Sequence, residues 1–332
     1  MASVNQTVVS TSEQAVVLAS CALSLVGSSL IMLTYVLWSD LRTTPRQLLV
    51  CLSLSDWLSA TSYAYGVWRI FETDSVDCVV QGAISTFANT SSFFWTVAIA
   101  VYLYVSIVKS NQRLADSLVL FFHCASWGIP LAITVAALCL NKIGFDGSEV
   151  SVGWCWVRIQ APDYIVWILL TGKVWEFLAY LILPLLYVLI KRHIHRAHAA
   201  LSEYRPILAS SSPSHALSAM ADRKLTLIPV IFIVLRIWST VRFLLLLADS
   251  PARKNPVLVT LHGIGNTFQG AANCIMFVLF TRPIRMRLAT ALCCGCCSKH
   301  QSSAAGSRDT NNAVMEGSRR AAPAEPGPTA EP

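Results

Sequence analysis

Of 332 residues, 55% are hydrophobic and only 13% charged, and the mean hydropathy is +0.56; soluble domains carry about 25% charged residues. That balance excludes a single water-soluble core and makes a bilayer the natural solvent. The net charge of +7 reads as the Lys and Arg excess that membrane proteins keep on their cytoplasmic side, and not as a nucleic-acid surface.

Residues 1–14 hold no Lys or Arg, so no basic region of a cleavable signal precedes the first apolar run, which is expected to act as its own signal anchor. Asn5-Gln6-Thr7 is a glycosylation sequon that serves if this end faces outward. A second sequon at Asn89 lies inside an apolar run and is expected to stay unmodified.

A spanning helix needs about 20 mainly apolar residues. Runs of that kind cover 15–37, 48–71, 79–108, 117–140, 164–190, 224–247 and 257–280. The chain therefore reads as an all-α membrane protein, a seven-transmembrane helix bundle over 15–280. The third and fifth runs exceed the bilayer thickness and are expected to tilt or project beyond it. With the N-terminus outside, one set of loops carries Arg42, Arg46, Lys109, Arg113, Lys191, Arg192, Arg196, Arg205, Arg223, Lys224, Arg282, Arg285 and Arg287. The other carries Glu72, Asp74, Asp77, Asp146, Glu149, Asp163 and Asp249 with few bases. This asymmetry predicts N-out, C-in. The expected location is the plasma membrane, with a ciliary membrane among its permitted subdomains.

Residues 281–297 follow the last span. Pro283 to Leu292 predict a short amphipathic helix with Ile284, Leu288 and Leu292 on one face, suited to lie on the inner leaflet. Cys293, Cys294, Cys296 and Cys297 come at once, a juxtamembrane cluster that predicts palmitoylation. The spacing is not that of two CxxC pairs, so no metal is expected there, nor any other cofactor. Residues 298–332, rich in Ser, Ala, Gly and Pro, predict a disordered cytoplasmic tail. Two cysteines stand clearly in oxidising territory. Cys78 opens the third span and Cys155 lies in the loop between the fourth and fifth; Cys139 competes as a partner.

Local motifs then narrow the class. The third span holds Phe94-Trp95 and Tyr102-Leu103-Tyr104, the fourth Trp127-Gly128-Ile129-Pro130, and the loop after it Gly153-Trp154-Cys155-Trp156. The sixth opens Arg223-Lys224-Leu225-Thr226-Leu227-Ile228-Pro229 and the seventh holds Phe268-Gln269-Gly270. These resemble the secretin and adhesion receptors and the slime-mould cyclic-AMP receptors, all G-protein-coupled. The resemblance implies a receptor that passes an outside or intramembrane ligand signal, or a basal activity, to a heterotrimeric G protein of the Gs or Gq class. It implies no enzyme activity. The chain departs from the rhodopsin type, reading Tyr104-Val105-Ser106-Ile107-Val108-Lys109 after span three in place of Asp-Arg-Tyr. The secretin-type Glu before the span-three tyrosine is replaced by Ile99 and Ala100.

Charges inside a bilayer cost about 2.5 kcal/mol or more, so each is a candidate site residue. Asn89, Lys173, Glu176, Arg236, Asn266 and Gln269 fall roughly 9–12 residues down their helices, about 15 Å from the outer surface. They predict a central polar belt forming the floor of a ligand pocket, with Arg242, His262 and Arg69 nearer its mouth. The alternative is structural, in which Lys173 pairs with Glu176 while Asp56 or a backbone carbonyl satisfies Arg236. Three positive groups against Glu176 favour an anionic ligand. At the opposite end, Lys109, Arg113, Arg192, Arg196, Arg223, Lys224 and Arg285 are expected to rim a cleft for the G protein, with Pro229 as the hinge of span six. Ser210, Ser211, Ser212, Ser214 and Ser218 are candidate phosphorylation sites for arrestin control. A transporter or channel would show inverted repeats and interrupted helices, neither visible in the sequence. A membrane interaction protein without signalling is the other alternative.

Overall fold

The computed structural model describes residues 9–69, 71, 73–204, 228–279, 281 and 284–290. Asn5, Arg223, Lys224, the serines at 210–218, the four cysteines at 293–297 and the tail lie outside the described residues. The chain divides into two units, Met1–Thr281 and Arg282–Pro332. In the second, residues 284–290 are helical and include Arg285.

The first unit is a bundle of the seven predicted spans. Span one is Thr11–Leu37, started by a capping box in which the Ser10 N–H donates to the Glu13 carboxylate at 2.7 Å and the Glu13 N–H donates to Ser10 Oγ. Span two is Thr44–Arg69. Span three is Val76–Leu103, prolonged by a π-helical turn at Tyr104–Val108. A short helix, Gln112–Ser117, leads into span four, Val119–Cys139. Span five joins Tyr164–Ile168, a π-helical turn at Leu169–Lys173, and Val174–Tyr204. Span six is Ile228–Leu247. Span seven is Pro256–Thr267 and Gln269–Cys274 with a π-helical turn at Ile275–Leu279.

Among the described residues five helices are long and apolar enough to cross a membrane by length and composition alone. The other two fall short for physical reasons. Span two buries Ser53, Ser55, Asp56, Ser59 and Ser62, so its inward face is polar. Span seven is interrupted at Phe268, so neither half has a full span's length. At that break the Gly270 N–H donates to Ser24 Oγ of span one at 2.9 Å. A Cβ on Gly270 would stand 2.1 Å from Ser28 Oγ, so only glycine allows the approach.

Span three is the central element, packed on spans two, four and five and touching six. Its contact with span four is aromatic: Trp127 meets Phe87 at 5.8 Å and Trp95 at 5.6 Å between ring centroids. The Phe93 ring meets Phe232 of span six edge-on at 5.4 Å. Such pairs add about 1 kcal/mol each beyond the area they bury.

The disulfide joins Cys78 to Cys155, and Cys139 is free and exposed. It fastens the loop between spans four and five over one end of the bundle. The loop starts and ends as a two-stranded hairpin pairing Ile143 with Val157 and Gly144 with Trp156. Its middle turns inward: Val150, Ser151, Val152, Trp154 and Cys155 are buried. Trp154 packs on Tyr63 of span two at 4.4 Å, and the Cys155 N–H donates to Gln81 Oε1 of span three at 2.8 Å. Gly66 and Gly82 permit this seating, since a Cβ at either would stand 2.7 Å from Trp154 or Ile143.

Candidate functional site

Beneath the inturned loop lies a narrow cavity with room for little more than one water molecule. Trp154, Trp156 and Val150 of the loop form its roof. Asn89, Lys173, Glu176, His262 and Asn266, all predicted pocket residues, line its walls. Tyr63 and Ser239 line it too and escaped the sequence reading. Ser239 and Thr240 lie three and four residues after Arg236, one helical face, which was the signal available for them. The other predicted pocket residues, Arg236, Arg242 and Gln269, stand behind the walls, and Arg69 forms an ion pair with Asp77 at 3.2 Å on the surface.

Each wall residue owes its place to a local feature. The π-helical turn at Leu169–Lys173 shifts the register of span five and brings Lys173 inward. Its Thr171 carbonyl is taken by the Thr90 hydroxyl of span three at 2.8 Å. Lys173 Nζ, 2% exposed, donates to Glu176 Oε2 at 2.8 Å and to Ser239 Oγ of span six at 2.6 Å. The other carboxylate oxygen of Glu176 accepts from the Tyr180 hydroxyl at 2.8 Å and from the Thr240 hydroxyl. The expected Lys173–Glu176 pair is thus present, and it ties span five to span six.

Arg242 is fully buried, and four of its five N–H donors go to backbone carbonyls. Nε donates to the Arg253 carbonyl. Nη1 donates to the Ser151 carbonyl and faces His262 Nδ1, both at 2.8 Å. Nη2 serves the Ser148 and Glu149 carbonyls. Arg242 is a clamp on the loop.

Arg236 differs from the expectation that Asp56 or a backbone carbonyl satisfies it. Nη1 donates to Asn266 Oδ1 at 3.1 Å, and the guanidinium lies over the rings of Phe93 at 5.0 Å and Phe232 at 6.0 Å. Its Nε has no partner, and among the described residues no carboxylate comes within ion-pair distance of it. Asp56 is instead occupied by its own neighbours, accepting from Ser92 Oγ at 2.8 Å and Asn273 Nδ2 at 3.0 Å. It is a hub joining spans two, three and seven. Gln269 is buried with neither side-chain polar atom partnered, as is Asn89 Oδ1.

In the loop, outside the spans, burial pushes the Asp146 carboxyl up from 3.8 to about 6, although Ser151 Oγ at 2.7 Å and the Ser148 N–H at 3.0 Å both donate to it. Asp163, at the start of span five, is held below the usual carboxylate range by the Lys142 ammonium beside it.

At the opposite end, Lys109, Arg113, Arg192 and Arg196 are exposed. Sequence reasoning missed a polar network here. The Tyr102 hydroxyl donates to Asp116 Oδ1 at 3.0 Å, Gln112 Nε2 donates to the Tyr102 oxygen at 2.6 Å, and Ser106 Oγ donates to Gln112 Oε1 at 2.7 Å. It ties the end of span three to the short helix before span four, close to where the absent Glu left Ile99 and Ala100. Pro229 is the second residue of the described part of span six, and the chain before it is not described.

The sequence has relatives among known proteins. The chain matches the family described as "7 transmembrane receptor (Secretin family)" over residues 11–272. It is 64% identical to the G-protein coupled receptor 157 of Homo sapiens over 278 residues, 83% of each chain. It is 62% identical to the protein of the same name in Rattus norvegicus over 288 residues, 85% of this chain and 86% of the relative. The Cyclic AMP receptor-like protein A of Dictyostelium discoideum is 28% identical over 138 residues, 42% of this chain and 35% of that one. The chain belongs to the secretin family of seven-transmembrane G-protein-coupled receptors and is a multi-pass membrane protein.

Proposed function

We propose that this secretin-family receptor responds to a ligand in the cavity under the loop and passes the response to a G protein of the Gs or Gq class. The observation that carries the reading is the hydrogen-bonded set Lys173–Glu176–Tyr180–Ser239–Thr240, which bridges spans five and six and puts Lys173, Glu176 and Ser239 on the cavity. A ligand that competes for any of these groups changes how strongly the two spans hold together. It acts only through its differential affinity for the closed and open arrangements. The open arrangement moves the far end of span six outward about Pro229 and uncovers a groove for a helix of the G protein α subunit. Lys109, Arg113, Arg192, Arg196, Arg223 and Lys224 rim that groove. The N-terminus faces outward with Asn5 glycosylated. Palmitoylation of Cys293, Cys294, Cys296 and Cys297 holds the juxtamembrane segment to the inner leaflet, and arrestin binds after phosphorylation of the span five–six loop. The plasma membrane, including its ciliary part, is the location that fits.

The test measures basal cyclic AMP and inositol phosphate in cells expressing the receptor, Pro229→Ala and Cys78→Ser at matched surface level. One messenger is expected to rise and to change with Pro229→Ala. No change in either messenger for any form, with substrate flux instead, would point to a transporter.

A further inference from the structure

Four side chains behind and along the cavity form one chain of contacts: Arg242 Nη1 to His262 Nδ1 at 2.8 Å, His262 Nε2 to Asn266 Nδ2 at 3.0 Å, and Asn266 Oδ1 to Arg236 Nη1 at 3.1 Å. Both ends are guanidinium groups, which donate and never accept. A neutral imidazole has one donor and one acceptor, and so does the face pair of an amide. If His262 accepts from Arg242, its Nε2 carries the proton and faces the Asn266 amide nitrogen, another donor. If the proton moves to Nδ1, it faces Arg242. If the Asn266 amide is turned over, its nitrogen faces Arg236. Protonating His262 fully makes both its nitrogens donors. No tautomer or amide orientation satisfies all three contacts, so one link always sets donor against donor. All four residues are more than nine-tenths buried, Arg236 Nε also lacks a partner, and no carboxylate of the described residues pairs with Arg236. Glu176, on the cavity wall, has both oxygens occupied by Lys173, Tyr180 and Thr240. The deficit is of an acceptor, beside a buried positive charge, where His262 and Asn266 face the cavity.

We propose that the cavity takes a carboxylate, from a small water-borne acid or from the headgroup of a membrane-borne fatty acid, and that this carboxylate completes the Arg242–His262–Asn266–Arg236 chain. A carboxylate supplies acceptors only, and a guanidinium binds it through paired N–H donors. It accepts from the donor that the chain cannot place and balances the buried charge of Arg236 behind the wall. The inference rests on the cavity being the ligand site, and it is measured by binding. A silent signalling assay therefore leaves it standing, and its own failure leaves G-protein coupling untouched.

The full chain, purified into lipid discs, is titrated with acetate and butyrate and, separately, with decanoate mixed into the disc lipid. Acetamide, butyramide, decanol and chloride are the controls, and the readout is the thermal unfolding midpoint. A saturable rise of a few degrees is expected with at least one carboxylate and with none of the controls. A response to acetate or butyrate assigns the water-borne source, and a response to decanoate alone assigns the membrane. Asn266→Asp places a carboxylate at the acceptor-poor link. It is expected to unfold at a higher temperature than the parent without any additive and to lose the carboxylate response. Arg236→Gln is expected to lose the response as well. The proposal is overturned by the absence of a saturable, carboxylate-specific rise in the parent protein, or by a rise that persists undiminished in both variants. Should neither variant fold, the comparison of acids with their amides and alcohol in the parent protein decides.

Discussion

At the scale of the residue, the bundle separates side chains that hold the fold from those that remain free to respond. Arg242 belongs to the first kind. Its removal takes the donors from the Ser148, Glu149, Ser151 and Arg253 carbonyls, the first three in buried residues, where an unpaired group costs about 1–3 kcal/mol. Arg242→Gln is therefore expected to lower the unfolding midpoint sharply and to deplete the receptor from the cell surface; an unchanged midpoint would refute the clamp. Asp146 gives a pH signature. Its folded carboxyl sits near 6 against an ordinary 3.8, because burial disfavours the charge. The folded state thus binds the proton more tightly than the unfolded one. Ionised Asp146 costs the fold on the order of 2–3 kcal/mol at neutral pH, and that cost disappears as pH falls through 6 toward 4. Asp163 works in the other direction. Its contribution through Lys142 is present at neutral pH and is lost only below the usual carboxylate range. Between pH 7 and 5, then, the parent protein should gain thermal stability and Asp146→Asn should show a flatter slope. Equal slopes would show that Asp146 does not titrate in that window.

Elements add constraints that single residues do not show. Span seven bends at Phe268 and meets span one through Gly270, while Gly265 lies against span six, where an added Cβ would stand 2.0 Å from the Leu235 carbonyl. Backbone cannot yield there as a side chain tip can. Gly265→Ala is expected to cost about 1–3 kcal/mol in overpacking, read as a lower midpoint at unchanged helix content; a neutral effect would mean that spans six and seven are looser than drawn. At the other end, the Tyr102–Asp116–Gln112 set fastens the end of span three. Tyr102→Phe removes the hydroxyl shared by both partners. It is expected to raise basal messenger output at matched surface level, because the opening end loses a tie. Output equal to the parent's would reduce the network to packing.

For the whole molecule, the sequence carried the architecture well and the site only in part. Seven spans were legible because lipid demands about 20 apolar residues per crossing, and even the polar span two kept enough of them. The interruption of span seven was not legible, because Phe268 is an ordinary helix-compatible residue and only packing against Ser24 and Ser28 fixes the break. The belt was found because charges inside a bilayer are rare, and Lys173 with Glu176 at helical spacing announced their own pairing. What those charges touch was out of reach. The role of Arg242 depends on loop carbonyls far away in the chain, and that of Asp56 on Ser92 and Asn273. Tyr63 and the loop tryptophans reach the cavity only because the loop turns into the bundle.

Activation of a G protein by this assembly is open to direct measurement. The most direct measurement places the purified receptor in lipid discs with purified Gs or Gq heterotrimer and follows nucleotide exchange, beside Glu176→Gln in equal amount. Faster exchange is expected on one of the two G proteins, with a changed rate for Glu176→Gln, which weakens the bridge between spans five and six. Exchange on both heterotrimers no faster than in empty discs, for the parent and the variant alike, would contradict that expectation.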